Sequence, residues 1–159
     1  MSSMTRKDEL LAAYDDACSY SWESLESVLN GIGDEEAAFR HPIYSDTETE
    51  EHHPPSGTIL WHLVHLADCY GWYKAVIEAR PVRPEDTVGP EAYTLREAKE
   101  NLLTWRAALR ETIVNVPDDQ LDEPIHSGKT VASLTRMSIR HDAWHASQIA
   151  VARRLYRHR

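Results

Sequence analysis

Two histidines near the carboxyl end of the chain, His141 and His145, are four residues apart. On a helix, residues at this spacing lie on one face with Cβ atoms roughly 6 Å apart. Two imidazoles in this relation can bind one divalent cation through ring nitrogens at ~2.0–2.1 Å. We therefore regard the pair as candidate metal ligands.

The helical face that carries this pair is apolar. At ~100° per residue, four neighbours share its direction: Leu134, Met137, Gln148 and Ala152. A face of this kind turns toward a core, where the polar nitrogens of an imidazole need partners. A shared metal ion is one such partner. In the alternative interpretation, one histidine faces inward and hydrogen-bonds a carbonyl group, while the other is exposed.

An earlier segment offers a third ligand. His65 shares a helical face with mostly apolar and aromatic residues: Thr58, Trp61, Cys69, Trp72 and Val76. His62 is offset from His65 by ~60° on the same side. Either could complete a site of three histidines that leaves further positions to water or substrate, as catalytic sites do. The alternative, a core histidine bonded to the neighbouring helix, is stronger for His62 than for His65.

Two neighbours of His65 have more than one possible role. Asp68 could orient the His65 ring or accept a proton, although a surface salt bridge is favoured. Cys69 could face the metal, although a small core residue is favoured, and a thiolate ligand there would indicate structural zinc. The remaining histidines lie in loops, turns or the tail, where solvated roles are favoured: His41, His52, His53, His126 and His158.

Four amphipathic helices are needed to position these residues. The apolar periodicity predicts them from about Lys7 to Leu29, Gly57 to Ala79, Thr94 to Pro117 and Val131 to Tyr156. The second is apolar almost all round, so we expect it to be the most buried. Strand patterns are nearly absent, apart from a possible hairpin-like excursion at 124–129. The predicted fold is an all-α four-helix bundle with long connections, and residues 80–93 could cross between parallel helices.

Length and net charge indicate the number of domains and argue against some classes of function. The 159 residues predict a single domain over 1–159. The 17 Lys and Arg against 26 Asp and Glu give a net charge of -9, opposite to the basic footprint of nucleic-acid binders. No apolar run approaches the ~20 residues of a membrane span, and no apolar signal segment opens the chain. We therefore expect a cytoplasmic protein that binds neither nucleic acid nor membrane.

Two segments resemble a known family. W-H-L-V-H-L-A-D-C-Y, from Trp61 to Tyr70, and H-D-A-W-H-A-S-Q-I, from His141 to Ile149, are similar to the motifs of the DinB-like metalloenzymes. The order of the helices also fits, with one ligand histidine on the second and a pair on the fourth. Where relatives often have Gly after the last ligand, this chain has Ala146 and Ser147.

The resemblance implies a fold, a ligand set and an activity. It implies up-down-down-up helix order, a homodimer, and one divalent ion, zinc or nickel, bound by His65, His141 and His145. Gln148 matches a position that often carries Gln, and a hydrogen bond behind the ligands is a plausible role for it. Several relatives are thiol S-transferases that use low-molecular-weight thiols, and one is a thiol-dependent isomerase.

The chemistry of such a site leaves two reactions and two non-catalytic alternatives. An open site of three histidines can activate water for hydrolysis or hold the thiolate of a small-molecule substrate. We favour a metal-dependent enzyme, with thiol S-transfer ahead of hydrolysis. The alternatives are a metal-binding stress-response or interaction bundle without catalysis, and a bundle whose histidines are only structural.

Overall fold

The computed structural model describes residues 4–42, 54–87, 93–125 and 128–159. These residues form α-helices and no strand: α1 Arg6–Ser19, α2 Leu25–Leu29, α3 Asp34–Ala38, α4 Ile59–Ile77, α5 Leu95–Asn115 and α6 Val131–Arg157. Single 3-10 turns occupy Pro84–Asp86 and Asp118–Gln120. The predicted all-α fold is confirmed. His52, His53 and His126 lie outside the described residues.

Each of the four long helices begins after a threonine. The side chains of Thr5, Thr58, Thr94 and Thr130 each accept a hydrogen bond from a backbone N–H of the first turn. Such a cap contributes about 1 kcal/mol because it satisfies one of the amides that lack a helical partner. Capping boxes are present at Thr5, Thr94 and Thr130.

The first predicted helix, Lys7 to Leu29, is wrong as one continuous element. It is divided into α1 and α2, and Glu23 between them adopts a φ of 61°. The break follows from Ser24, whose hydroxyl accepts from the amide of Ser27 and begins a new helix. Trp22 lies in the segment between the two helices and is 75% exposed. The short helix α3 was not predicted.

Side-chain contacts give the directions of neighbouring helices. Glu78, just after α4, approaches Thr112 near the end of α5 at 3.4 Å, so these two helices run parallel and the chain between them crosses the length of the bundle. Between α4 and α6, His62 meets His145 while Tyr73 meets His141, so this pair is antiparallel. These contacts concern α4, α5 and α6, and the up-down-down-up order of the whole bundle stays a prediction.

Helix α4 is the most apolar of the six and is largely buried, as predicted. It packs against both α5 and α6. The 3-10 turn at Pro84–Asp86 lies so close to α4 that a Cβ on Gly71 would collide with the Asp86 carbonyl oxygen. Among the described residues, no helix combines the length and the apolarity that crossing a bilayer requires.

Candidate metal centre

The rings of the three predicted histidines are neighbours at the interface between α4 and α6, although the group of ligand atoms that lie within 4.8 Å of one another contains His65 and His141 and not His145. Ring centroids are 5.3 Å apart for His65 and His141, 5.0 Å for His65 and His145, and 4.6 Å for His141 and His145. His145 is fully buried, whereas His65 and His141 are half-buried. The cluster therefore has an inner side in the core and an outer side that reaches the surface.

The distance between the two ring nitrogens on α6 suits a shared ion. The Nε2 atoms of His141 and His145 are 3.0 Å apart. Two nitrogens that are each ~2.1 Å from one ion are ~3.0–3.4 Å apart at the bond angles of octahedral and tetrahedral coordination. The pair is thus already close to the spacing that coordination requires.

Cys69 is also part of this cluster. Its Sγ lies 3.6 Å from Nε2 of His65, and ligand atoms of His65, Cys69 and His141 all lie within 4.8 Å of one another. Burial, reinforced by the charge of Asp68, raises the pKa of the Cys69 thiol to about 12. The thiol is therefore protonated at neutral pH unless a cation displaces the proton. The structure thus offers a His-Cys-His group in which an ion could bind.

The Nδ1 atoms of the two histidines on α6 contact residues of α4. Nδ1 of His145 is 2.8 Å from Nδ1 of the buried His62, and Nδ1 of His141 is 3.2 Å from the hydroxyl oxygen of Tyr73. With both Nε2 atoms facing a cation, each Nδ1–H would donate to its neighbour on α4. Such hydrogen bonds fix the tautomer and the ring orientation of ligand histidines.

Only one of these two supporting residues has a signal in the sequence. His62 was recognised as a histidine on the same side of the helix as His65, with a core role favoured. Tyr73 was missed, because a tyrosine in an apolar helix has the pattern of an ordinary packing residue. Asp68 and Gln148 are half-buried, and His158 is exposed just after the end of α6.

Burial keeps the imidazoles neutral. It lowers the pKa of His145 to about 2 and that of His62 to about 4, and it also lowers the pKa of His141. Neighbouring imidazoles act in the same direction, because a second positive charge would be repelled. The neutral ring is the form that coordinates a metal. At neutral pH the cluster is therefore ready to bind a cation without first releasing a proton from these rings.

Indole rings flank the cluster. The Trp61 ring stacks on His65 at 4.8 Å between centroids, with an angle of 7° between the planes. The Trp144 ring lies 4.7 Å from that of His145 and is stacked at 6.2 Å from that of His141, and this side chain is 54% exposed. These rings form an aromatic surface beside the outer side of the cluster.

Beside this cluster, a buried charge network joins the four long helices. Asp142 on α6 accepts a 2.5 Å hydrogen bond from the Tyr70 hydroxyl on α4, and its other oxygen is 3.5 Å from Nε of Arg106 on α5. Arg106 donates to the backbone oxygen of Tyr14 on α1 and lies over its ring. Asp142 adjoins His141 in sequence, so the network fixes the part of α6 that presents the histidines.

Comparison with known proteins gives one match. A family model described as the DinB superfamily matches residues 17–149, which include His62, His65, Cys69, His141 and His145. The comparisons with curated proteins and with solved structures found no match.

Proposed function

The chain belongs to the DinB superfamily, and on that premise we propose that it is an enzyme that depends on one divalent cation bound between α4 and α6. The proposed ligands are His65, His141 and His145, and the proposed ion is zinc or nickel. The 3.0 Å separation of the two Nε2 atoms on α6 is the observation that carries this proposal. Neutral imidazoles with supported Nδ1 atoms add to it.

The proposed reaction is transfer of a low-molecular-weight thiol to a small electrophilic substrate. A divalent cation at this position would lower the pKa of a bound thiol, and so provide a thiolate nucleophile at neutral pH. The sulfur would form a bond to the electrophilic carbon while the leaving group departs with its electron pair, and the thiol proton would pass to solvent.

The chain's own residues have three roles in this scheme. His62 and Tyr73 orient the two rings on α6 through the Nδ1 atoms. The half-buried His65 and His141 leave the outer side of the cluster accessible to a small molecule. A substrate packed against the flanking indoles of Trp61 and Trp144 would displace water there, which favours attack by the thiolate over hydrolysis.

Whether the Cys69 sulfur binds the ion distinguishes a structural centre from a catalytic one. A fourth protein ligand would close the coordination sphere, as in structural zinc sites, whereas a protonated Cys69 leaves a position open. We propose the open form, in which the three histidines bind the ion and Cys69 stays protonated beside them. A Cys69→Ala variant should then keep its metal and its turnover, whereas a closed site would lose most of its metal.

Turnover with purified components tests the proposed reaction. Metal-reconstituted protein is incubated with a small thiol and an alkylating electrophile, and the thioether is measured by mass spectrometry. We expect thioether formation above the uncatalysed rate in the wild type and in His158→Ala, and at the background rate in His141→Ala. Hydrolysis of esters without thioether formation would overturn thiol transfer. A lack of both reactions in metal-bound protein would favour the non-catalytic bundle.

We also propose that the protein is a homodimer in the cytoplasm. Exposed aromatic side chains support an association surface: Tyr20, Trp22 and Trp144. Both cysteines are free, as is usual in a reducing compartment. Sedimentation at micromolar concentration should give twice the 18.2 kDa chain mass, and a species of monomer mass alone would contradict the dimer.

A further inference from the structure

A cavity of about 690 Å³ lies between the second half of α4 and the turn that precedes α6. Trp72 and Val76 of α4 form one wall, the segment 79–82 forms a second, and Pro124 with Ile125 forms a third. Its volume falls within the range of pockets that bind small molecules, roughly 300–1,000 Å³.

One stripe of α4 connects this cavity to the candidate metal centre. His65, Cys69, Trp72 and Val76 follow the i, i+4, i+7, i+11 spacing of one helical face. The first two belong to the histidine cluster and the last two to the cavity wall, seven residues or about 10 Å further along the axis. A single extended molecule could therefore contact both.

The rings between the two places are in direct contact. The Trp72 ring lies 5.3 Å from the Tyr73 ring, and the Tyr73 hydroxyl is 3.2 Å from Nδ1 of His141. The cavity thus begins one side chain away from a proposed ligand.

The cavity lining suits an uncharged group. Arg80 is its charged member, but its guanidinium binds Asp86 at 2.5 and 2.6 Å and Glu78 at 2.8 Å, so the charge is neutralised. The other lining residues are apolar side chains and prolines. Transfer of an alkyl or aryl group from water to such a surface is favourable.

The walls are held in place without a ligand. Asp86 anchors Arg80 and packs its backbone against Gly71, and the Ile125 amide donates to the Lys129 carbonyl oxygen at 2.7 Å. A preformed pocket binds without a large ordering cost.

We propose that this cavity binds the apolar part, an alkyl chain or an aryl ring, of the substrate whose other end reacts at the metal centre. The inference rests on the proposed function, because the substrate's reacting group must be held at the ion. The inference adds that the substrate is amphipathic, and that Trp72, Val82 and Ile125 determine which apolar groups the cavity accepts.

Binding of unreactive metal ligands with tails of increasing length tests the proposal. Alkyl hydroxamic acids, from acetohydroxamic to octanoylhydroxamic acid, are titrated calorimetrically into zinc- or nickel-reconstituted protein. Once the tail enters the cavity, we expect each added methylene to tighten binding about fourfold. The indole N–H resonance of Trp72, assigned with Trp72→Phe, should shift with the octanoyl compound and not with acetohydroxamic acid.

A cavity-filling variant provides the control. Val82 is 43% exposed, so Val82→Trp can fill the cavity without disturbing the core. In this variant the affinity should no longer rise with tail length, and the affinity for acetohydroxamic acid should be unchanged. Val151→Trp, at an exposed valine on α6, should retain the full gain.

The outcomes separate this inference from the proposed function. If acetohydroxamic acid binds but tail length has no effect, or has the same effect in Val82→Trp, the cavity assignment is wrong and the metal site stands. If Val82→Trp changes the sedimentation mass and not the tail dependence, the cavity is a contact between two copies. If no metal is retained, both proposals are overturned.

Discussion

Two polar clusters lie side by side in this bundle, and they satisfy their buried atoms in different ways. In the charge network, one oxygen of Asp142 accepts a hydrogen bond from the Tyr70 hydroxyl, and the other faces the Arg106 guanidinium at 3.5 Å as an ion pair without a hydrogen bond. In the histidine cluster, His145 meets only other imidazoles, at both of its ring nitrogens. Both Asp142 and His145 are fully buried on α6.

The difference indicates that Asp142 and His145, on the same helix, have a structural role and a metal-binding role respectively. A buried carboxylate with a cation and a hydroxyl as partners has little need of a ligand, so the network is a structural element. The facing imidazoles are neutral and carry nitrogen lone pairs, and a cation would accept these lone pairs. The comparison therefore predicts that damage to the network lowers stability, whereas damage to the histidines mainly lowers metal affinity.

The largest effect is expected in the charge network. Arg106→Met leaves the Asp142 carboxylate buried without its cation, which should lower the free energy of unfolding by about 3–5 kcal/mol. Urea denaturation of the metal-free protein measures this. The double variant Arg106→Met with Asp142→Leu removes both charges, so it should regain most of the lost free energy of unfolding.

The matched control is an exposed pair of the same type. Arg96 and Glu100 on α5 are 3.1 Å apart and exposed, so Arg96→Met should cost under about 1 kcal/mol. Equal losses at Arg96 and Arg106 would contradict the structural role of the network.

The next effect is metal-dependent stabilisation through the histidines. At a free ion concentration of 100 times Kd, binding adds about 2.7 kcal/mol to the free energy of unfolding. Zinc or nickel should give a gain of this order in the wild type and in His158→Ala, and none in His141→Ala. A similar gain in His141→Ala would place the ion elsewhere.

A smaller effect is expected from pH on the metal-free protein. The pKa values of His145 and His62, about 2 and about 4, lie below the unfolded value of about 6.5. Below pH 6.5 the unfolded chain therefore binds protons that the folded protein does not, so stability present above pH 6.5 is lost as the pH falls.

The charge network opposes this loss. Burial raises the pKa of Asp142 to about 6, so the folded state gains a proton there first. We expect a net fall on the order of 2 kcal/mol between pH 6.5 and 5, since two imidazoles outweigh one carboxyl. Calorimetric melting across this range measures the slope. In His145→Phe the fall should be clearly smaller, and an unchanged fall would contradict the assignment to the histidine cluster.

The smallest effects are expected from the supports of the ligand rings. His62→Phe removes the acceptor of the His145 Nδ1–H, and Tyr73→Phe removes that of His141. Each should weaken metal binding about 10–100-fold without abolishing it. Competition with a chromogenic chelator gives the affinities. Wild-type affinity in both variants would show that these contacts do not orient the ligands.

The positions of the histidines and the burial of α4 could be predicted from the sequence, because both follow from helical periodicity. Spacing placed His65, His141 and His145 on inward faces, and the apolar pattern of α4 predicted its burial. Periodicity could not predict the break between α1 and α2, since Ser24 begins a new helix through one hydrogen bond. It also could not pair Arg106 with Asp142, which lie on different helices.

The role of Cys69 shows the same limit. As the residue four positions after His65 it could be a core residue or face the metal, and spacing alone did not decide. The structure places its sulfur 3.6 Å from the His65 ring on the same helix, and α6 brings His141 to the same group. Contacts across helices, which the sequence encodes only through packing, determine such a group.

The central claim, one divalent ion bound between α4 and α6, is tested most directly by elemental analysis of untagged protein purified without chelator. We predict about one equivalent of zinc or nickel per chain in the wild type and in His158→Ala, and almost none when His141 and His145 are both replaced by Ala. A wild-type protein without metal that also takes up none when it is added, or a double variant with full metal content, would contradict the account.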